Sequence, residues 1–157
     1  MKKHDKLSFE YSKIAPQIYI GTNLCCTTHF NKALLKKGIH ADLSLEEKKI
    51  DAPFGAEFYL WIPVKNHLPP TPKQFSIGVA FIHHVLKSGE KIYVHCEHGH
   101  GRAPTLVAAY LALNNKLSAE KAVELIKIKR SRAHPNNKQI AAVKRFVQKN
   151  RGMLNYK

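Results

Sequence analysis

The chain has 157 residues, of which 44% are hydrophobic and 24% are charged. These proportions are typical of a globular protein, and the length suits a single domain with a substantial core. No apolar run approaches the length of a membrane span, which argues against a membrane-spanning protein. Three cysteines without repeating spacing do not make the disulfide framework of a small secreted domain.

The charge is strongly positive and unevenly distributed. The net charge is +15, and residues 116–157 carry twelve Lys or Arg against Glu120 and Glu124. Such a field raises the local concentration of anions, so nucleic acid or acidic lipid are candidate partners. A lysine-rich surface that serves only solubility would give the same pattern. No zinc-finger or RNP-like signature accompanies the charge.

The first half of the chain contains two segments with helical patterns. Apolar residues recur at helical spacing over residues 28–37, and Gly38 is suited to end that helix. Thr71 and Pro72 form an N-cap followed by proline at N1. The helix that they open is predicted to end near Gly89.

The second half alternates a strand with helices. Residues 90–95 are predicted to form a short buried strand, followed by a helix over residues 103–111. Ser118 is suited to cap a helix reaching residue 129, and Pro135-Asn136-Asn137 breaks the chain before a last helix. The alternation predicts an α/β fold, in which a central, mainly parallel twisted sheet is flanked by helices on both faces.

The most informative segment joins the predicted strand 90–95 to the helix after it. It reads His95-Cys96-Glu97-His98-Gly99-His100-Gly101-Arg102. A helix N-terminus and a run of backbone N–H groups make an anion site, where a thiol ionises readily. The planar fork of Arg102 can hold two oxygens of a bound oxyanion. A nucleophile, an anion cradle and a bidentate clamp together indicate attack on a phosphate monoester.

This segment resembles the Cys-x5-Arg loop of the protein tyrosine phosphatase superfamily, and the chain is most similar to the small dual-specificity branch. Residues 18–21 are similar to the opening strand of that branch, residues 41–44 to its second strand, and residues 60–64 to the strand that leads to its acid loop. The resemblance spans about residues 14–148 of a domain taken as 1–157. It implies a phosphate-binding loop between a strand and a helix.

The resemblance implies a role for each residue of the loop. Cys96 would attack phosphorus and form a cysteinyl-phosphate intermediate, without a metal ion or other cofactor. Arg102 would hold the phosphoryl oxygens together with the backbone amides of the loop, and His95 would support the loop rather than act as a base. The other residues assigned here are the phosphate-binding Glu97, His98, Gly99, His100 and Gly101, and the loop-supporting Ala103 and Thr105.

Two residues depart from the family pattern. Asn66 stands where the family carries a general-acid Asp, and an amide cannot donate a proton as a carboxylic acid does. His67 is a candidate substitute, with Asp51 and Glu57 as weaker ones, although His67 could simply pack against the loop. Ala103 stands where most of the family has Ser or Thr, whose hydroxyl assists breakdown of the intermediate. Both departures predict slow turnover.

The substrate is left open by the residues. We expect phosphotyrosine in proteins, with phosphoserine and phosphothreonine as additional substrates. His98 and His100, expected to be cationic at acidic pH, resemble the paired bases of phosphoinositide phosphatases. Cys96-Glu97-His98-Gly99 resembles the loop of metal-independent RNA 5′-triphosphatases, whose anhydride substrates need less acid catalysis. A phosphate-binding module with vestigial catalysis is the remaining alternative.

The remaining cysteines and the N-terminus bear on the compartment. Cys25 and Cys26 are expected to be a packing pair at a strand end, with a redox partnership with Cys96 as the alternative. An active thiolate prefers a reducing compartment. Residues 1–6 lack an apolar segment after their basic start, so no secretory signal is predicted and the expected location is the cytoplasm.

Overall fold

The computed structural model describes residues 6–155, so residues 1–5, which hold most of the N-terminal segment discussed above, lie outside the described part. Helices and strands alternate along the chain. The strands are β1 (Tyr11–Ala15), β2 (Ile18–Gly21), β3 (Ile39–Ser44), β4 (Phe58–Trp61) and β5 (Lys91–His95). The helices are α1 (Lys32–Lys36), α2 (Pro72–Lys87), α3 (Arg102–Asn114), α4 (Ala119–Lys129) and α5 (Asn137–Lys149), with a 3-10 turn at Asn23–Cys25.

The strands form one sheet in the order β1-β2-β5-β3-β4. Strand β1 pairs with β2 antiparallel, and the other three pairs are parallel. This confirms the predicted α/β class with a mainly parallel sheet. Strand β5 lies at the centre, with β2 and β3 on either side of it. The loop that follows β5 therefore starts from the best-supported strand of the sheet.

Alternating side chains cover both faces of the sheet. In β2 and β5, Ile18, Ile20, Ile92 and Val94 point to the main core, which α2, α3, α4 and α5 complete. Between them, Tyr19 and Tyr93 point to a second, smaller cluster. Its other buried members are Cys25, Cys26, Phe30, Leu34 and Ile39, which lie on the α1 side of the sheet. Helices therefore flank both faces, as the alternation predicted.

Local capping signals set the helix boundaries correctly. The Thr71 hydroxyl accepts a hydrogen bond from the Gln74 backbone, and the Gln74 side chain accepts one from the Thr71 backbone. Asn136 and Gln139 form the same capping box at α5, and Ser118 caps α4. The predicted starts of α2 and α4 are confirmed because each depends on residues within one turn, whereas for α5 the sequence predicted only a break in the chain before the helix.

Two predicted elements are wrong in extent. Helix α1 covers only Lys32–Lys36 instead of residues 28–37, because the Asn31 side chain caps it by accepting from the Ala33 backbone. The residues before Asn31 instead form a turn, in which the Phe30 N–H donates to the Phe54 carbonyl. Strand β4 is Phe58–Trp61 rather than residues 60–64, since Pro63 has no N–H for a strand ladder.

Strand β1 was not predicted. It precedes residues 18–21, which therefore form the second strand of the chain rather than the first. Its sequence, Tyr11-Ser12-Lys13-Ile14-Ala15, has too few apolar residues to give a strand signal, and only Ile14 is buried. Among residues 6–155, no helix is long and apolar enough to cross a membrane.

The two neighbouring cysteines, Cys25 and Cys26, are bonded to each other. The sequence predicts a packing pair at a strand end; Cys25 and Cys26 do lie just after β2, and their sulfurs are in addition joined in a disulfide that was not predicted. Both are buried beneath α1, and Cys96 is the free cysteine. The disulfide thus lies inside the smaller cluster, on the same side of the sheet as Tyr93.

Candidate active site

The loop of residues 96–101 turns from the C-terminal end of β5 directly into α3. Helix α3 begins at Arg102, with Gly101 as its N-cap residue and Pro104 in its first turn, where a missing N–H costs no helical hydrogen bond. The positive end of the α3 dipole therefore faces the loop. Parallel sheets place ligands at this edge, outside the carboxyl ends of the strands.

Only glycine fits at position 99 of the loop. Gly99 has a φ of +69°, and an added Cβ would lie 2.6 Å from the Gly21 carbonyl oxygen and 2.9 Å from Nη2 of Arg130. The loop thus turns tightly against the end of β2. Gly99 is not among the residues that line the cavity described next, and its predicted contribution to phosphate binding stays a prediction.

A cavity of about 150 Å³ opens above the loop. It brings together Cys96 and Arg102, which come from the two ends of the loop, with Asn66 and His67 from the segment after β4. Cys96 and Arg102 are each 3% exposed. The remaining lining residues are Glu97, His98, His100, Gly101, His134, Asn136 and Gln139.

Arg102 is anchored from one side of its guanidinium. Its Nη1 donates to the Val64 carbonyl at 2.9 Å and the Leu45 carbonyl at 3.3 Å, and lies 3.4 Å from Glu46 Oε1. Within the described residues, every hydrogen bond of this guanidinium uses Nη1. Because Arg102 also lines the cavity, the other nitrogens remain available for a two-oxygen grip on an oxyanion.

The Glu46 carboxylate was missed by the sequence analysis. Its other oxygen accepts from the Asn23 side chain at 2.6 Å, and its backbone carbonyl accepts from Trp61 Nε1. Glu46 therefore joins the turn after β2, the end of β4 and the Arg102 side chain. It follows β3 by two residues and has no local motif, so sequence spacing could not identify it.

The segment that holds Asn66 and His67 is fixed by helix α5. The Asn66 side-chain oxygen accepts from the His67 backbone at 3.0 Å. His67 has a φ of 63°, a left-handed conformation, and its carbonyl accepts from Asn136 Nδ2 at 2.8 Å. Gln139 donates to the Leu68 carbonyl at 3.3 Å. Asn136 and Gln139 thus hold this wall of the cavity, a contact that the sequence did not predict.

The other acid candidates are not at the cavity. Asp51 is buried against His95, and Glu57 lies on the surface with its carboxylate 3.9 Å from His40. Neither can reach a leaving group bound above Cys96. Of the residues considered for the acid position, Asn66 and His67 line the cavity, whereas Asp51 and Glu57 do not.

Three histidines stand along one side of the cavity. The rings of His98 and His100 are stacked with centroids 5.5 Å apart, and His134 lies 5.2 Å from His100. Burial, with the positive neighbours His134 and Arg130, lowers the pKa of His100 to about 4. The lowered pKa disfavours the charged form of His100, so it weakens the contribution of this side chain to a cationic loop at acidic pH.

Arg130 supports the loop from behind. It is 3% exposed, its Nε donates to the Gly99 carbonyl and its Nη2 to the His98 carbonyl, both at 2.9 Å. Glu10, at the start of β1, accepts from both terminal nitrogens of the guanidinium. In the sequence, Arg130 is one of the twelve basic residues of segment 116–157. Its position after α4 gives no local signal of a partner in the loop.

His95 lies at the end of β5 with its side chain buried on the α1 side. Its Nε2 is 2.7 Å from Asp51 Oδ2 and 3.2 Å from Asp42 Oδ1. Burial alone would lower the pKa of His95, but the carboxylates of Asp42 and Asp51 outweigh it and raise the pKa to about 10. The ring is therefore a charged support beneath the loop and does not line the cavity.

The two carboxylates beside His95 differ in their electrostatics. Burial raises the pKa of Asp42 to about 7, although His95 opposes this. Burial also acts to raise the pKa of Asp51, but the hydrogen bond and charge of His95 bring it below its ordinary value. For Asp51, the effect of His95 on the pKa outweighs that of burial. For Asp42, burial outweighs the effect of His95.

The first turn of α3 carries the remaining two predicted positions. The Thr105 hydroxyl donates to the Gly101 carbonyl at 2.7 Å, so it stabilises the turn and is not directed at the thiol. Ala103 is completely buried and offers no hydroxyl to Cys96. The position directly after Arg102 therefore supplies no hydroxyl to the loop.

Residues 18–149 match the sequence model of the dual specificity phosphatase catalytic domain. Dual specificity protein phosphatase 5 of the rat (Rattus norvegicus) is 32% identical over 127 residues, covering 79% of this chain and 32% of the relative. This chain thus spans about a third of the length of that curated relative.

Two solved structures share the fold. Human DUSP28 superposes with a TM-score of 0.80 at 17% identity, covering 90% of this chain and 99% of that one. PTPMT1 in complex with PI(5)P has a TM-score of 0.76 at 24% identity, covering 88% of this chain and 95% of the other.

Replacing Arg130 by Lys is expected to lower kcat/KM for an aryl phosphate about 10- to 100-fold, because one ammonium cannot serve two loop carbonyls and Glu10 together. Steady-state kinetics against p-nitrophenyl phosphate measures this. The matched control is Arg151→Lys, an exposed position beyond α5, which should leave kcat/KM unchanged. Equal kinetics in Arg130→Lys and the original chain would contradict the support assigned to Arg130.

Proposed function

This chain belongs to the dual specificity phosphatase family, and from that membership we propose that it hydrolyses phosphate esters of tyrosine side chains in proteins, with Cys96 as the nucleophile. The observation that carries the proposal is the cavity in which Cys96 and Arg102 meet at the N-terminus of α3. Positive potential from the helix and from Arg102 would both bind a phosphoryl group and favour the thiolate.

The reaction proposed here has two displacements at phosphorus. The Cys96 thiolate attacks phosphorus, a sulfur–phosphorus bond forms and the ester oxygen leaves with the electron pair of its bond. Water then attacks the phosphocysteine, which releases inorganic phosphate and returns the thiolate, while one proton of that water goes to solvent. Arg102 and the loop amides would hold the three non-bridging oxygens during both steps.

The residue at the acid position favours tyrosine over serine and threonine. Asn66 cannot supply a proton to the leaving oxygen, and loss of a general acid costs about 10²–10⁴-fold where the leaving group is poor. A tyrosine phenol has a pKa near 10, so its anion leaves far more easily than a serine alkoxide. The missing acid therefore penalises alkyl esters more than aryl esters, unless His67 supplies the proton.

A second candidate, a phosphorylated lipid, is favoured by a groove beside the cavity. The groove has a volume of about 400 Å³, and it shares the segment after His67 with the wall of the cavity. Its walls are mostly apolar, and the polar lining residues are Thr71, Asn150 and the two cations Arg145 and Lys149 of α5. The apolar residues are Leu68, Pro69, Pro70, Pro72, Phe75, Ala142 and Phe146. An acyl chain beside an anionic headgroup would suit this pairing, and PTPMT1 has been solved with PI(5)P.

Phosphate release from a panel of substrates tests the proposal. The panel is a phosphotyrosine peptide, the same peptide with phosphoserine, PI(5)P in mixed micelles and an RNA with a 5′-triphosphate. We expect the phosphotyrosine peptide to have the largest kcat/KM, and all release to stop in Cys96→Ser. A larger kcat/KM for PI(5)P or for the RNA would replace the proposed substrate class, and tight peptide binding without release would indicate a binding module.

Replacing Asn66 by Asp is expected to increase kcat for the phosphoserine peptide more than for p-nitrophenyl phosphate, whose leaving group needs little protonation. The increase in kcat cannot exceed what a general acid contributes, which is about 10²–10⁴-fold. The matched control is Asn114→Asp, an exposed position at the end of α3, which should change neither rate. An Asn66→Asp chain without any gain on the phosphoserine peptide would show that the leaving group is protonated elsewhere.

A further inference from the structure

A cluster of potential metal ligands lies beneath the active-site loop, on the α1 side of the sheet. It comprises Cys25, Cys26, Asp42, Asp51 and His95, all buried. One ligand atom from each lies within 4.8 Å of every other. These residues come from the turn after β2, from β3, from the segment before β4 and from the end of β5.

The cluster has more acceptors than donors. His95 Nε2 can carry one proton, and it faces both Asp51 Oδ2 at 2.7 Å and Asp42 Oδ1 at 3.2 Å. Among the described residues, Oδ1 of Asp42 and Oδ1 of Asp51 accept no hydrogen bond, although Asp42 is completely buried. Buried carboxylate oxygens without a donor are costly, and buried charges are found paired or bound to cations. One oxygen of Asp42 and one of Asp51 are therefore available as ligands.

The spacing of the ligand atoms suits a tetrahedral ion. Cys26 Sγ lies 3.5 Å from Asp42 Oδ2 and 4.0 Å from His95 Nε2. Zn²⁺ bonds of about 2.0–2.3 Å to oxygen, nitrogen and sulfur place neighbouring ligands roughly 3.3–3.6 Å apart. His95 Nε2 lies closer than this to the oxygens of Asp51 and Asp42, and farther than this from Cys26 Sγ. Small side-chain rotations would bring all four to this spacing.

We propose that Cys26, Asp42, Asp51 and His95 bind one Zn²⁺ ion when the disulfide between Cys25 and Cys26 is reduced. Cys26 is the sulfur ligand because its Sγ contacts both Asp42 and His95. A thiolate, an imidazole and carboxylates form a mixed set that accommodates zinc, and four protein ligands close the site to water. The site is structural, since it does not open into the cavity above Cys96.

The oxidation state of the cysteines controls the site. In the disulfide, Cys26 carries no thiolate and cannot ligate as an anion. A dithiol reductant supplies two electrons and two protons, which break the sulfur–sulfur bond and leave two thiols, while the reductant becomes a disulfide. On binding, Zn²⁺ displaces the Cys26 thiol proton and the imidazole proton of His95 to solvent. Disulfide and zinc are therefore mutually exclusive.

The position of the site indicates what zinc would stabilise. His95 directly precedes Cys96, and its carbonyl accepts from the Leu45 backbone at 2.9 Å. Asp42 lies in β3 beside β5, and Asp51 comes from the segment that connects β3 to β4. An ion joining these groups would hold the C-terminal ends of two central strands together directly under the loop.

Cobalt substitution in the 157-residue chain tests the proposal, with Cys96→Ser as background so that a sulfur-to-cobalt absorption band cannot arise from the loop. The chain is reduced with a phosphine, desalted and titrated with Co²⁺. We expect one Co²⁺ per chain with a sulfur-to-cobalt charge-transfer band. Adding Cys26→Ser should remove the band and lower affinity at least about 100-fold. Zinc is then measured by mass spectrometry after desalting, with one ion per chain expected.

The neighbouring cysteine provides the matched control. Cys25→Ser prevents the disulfide and leaves Cys26 in place, so this variant should bind the metal without any reductant. Asp51→Asn is a second ligand variant, and its circular dichroism spectrum checks that it folds; it should lose affinity for Co²⁺. The proposal is overturned if the reduced chain binds no stoichiometric metal, or if the charge-transfer band survives Cys26→Ser, which would move the ligands elsewhere.

Discussion

The structure of the site depends on satisfying the carbonyl groups of the loop. A loop that turns its N–H groups towards an anion turns its carbonyl oxygens away from it, and buried carbonyls need donors. Arg130 meets this need at His98 and Gly99 with two nitrogens of one rigid guanidinium. Gly99 makes the arrangement feasible, because any Cβ there would displace the Gly21 carbonyl or Arg130 itself. The cradle is thus built from β1, β2 and the end of α4 as much as from the loop.

The two ends of the cavity have different supports. Arg102 is fixed by carbonyls that follow β3 and β4, whereas the wall with Asn66 and His67 is fixed by Asn136 and Gln139 at the start of α5. The chemistry of the cavity is uneven in the same way. In the proposed mechanism, the half with Cys96 and Arg102 would bind and attack the phosphoryl group. On the other side, the Asn66 amide cannot protonate the leaving oxygen and Ala103 has no hydroxyl, so His67 is the candidate acid that remains there.

The sequence was sufficient where structure is decided locally. Capping residues placed the starts of α2 and α4 correctly, and the short spacing from Cys96 to Arg102 located the loop. It was insufficient where partners come from distant segments. Arg130 is 120 residues from Glu10, and the Asp51 and His95 that share a hydrogen bond are 44 residues apart. Only pairing of β3 with β5 brings Asp42 to that site, and no periodicity encodes it.

The most direct test of the central claim is detection of the phosphocysteine. The chain is mixed with p-nitrophenyl phosphate, quenched at successive times and digested. The mass of the peptide that contains Cys96 is measured by mass spectrometry and compared with that of the same peptide from Cys96→Ser. We expect a peptide heavier by one phosphoryl group, formed as p-nitrophenol is released, and neither event in Cys96→Ser. Release of p-nitrophenol that continues in Cys96→Ser, or no release by the original chain, would contradict nucleophilic attack by Cys96.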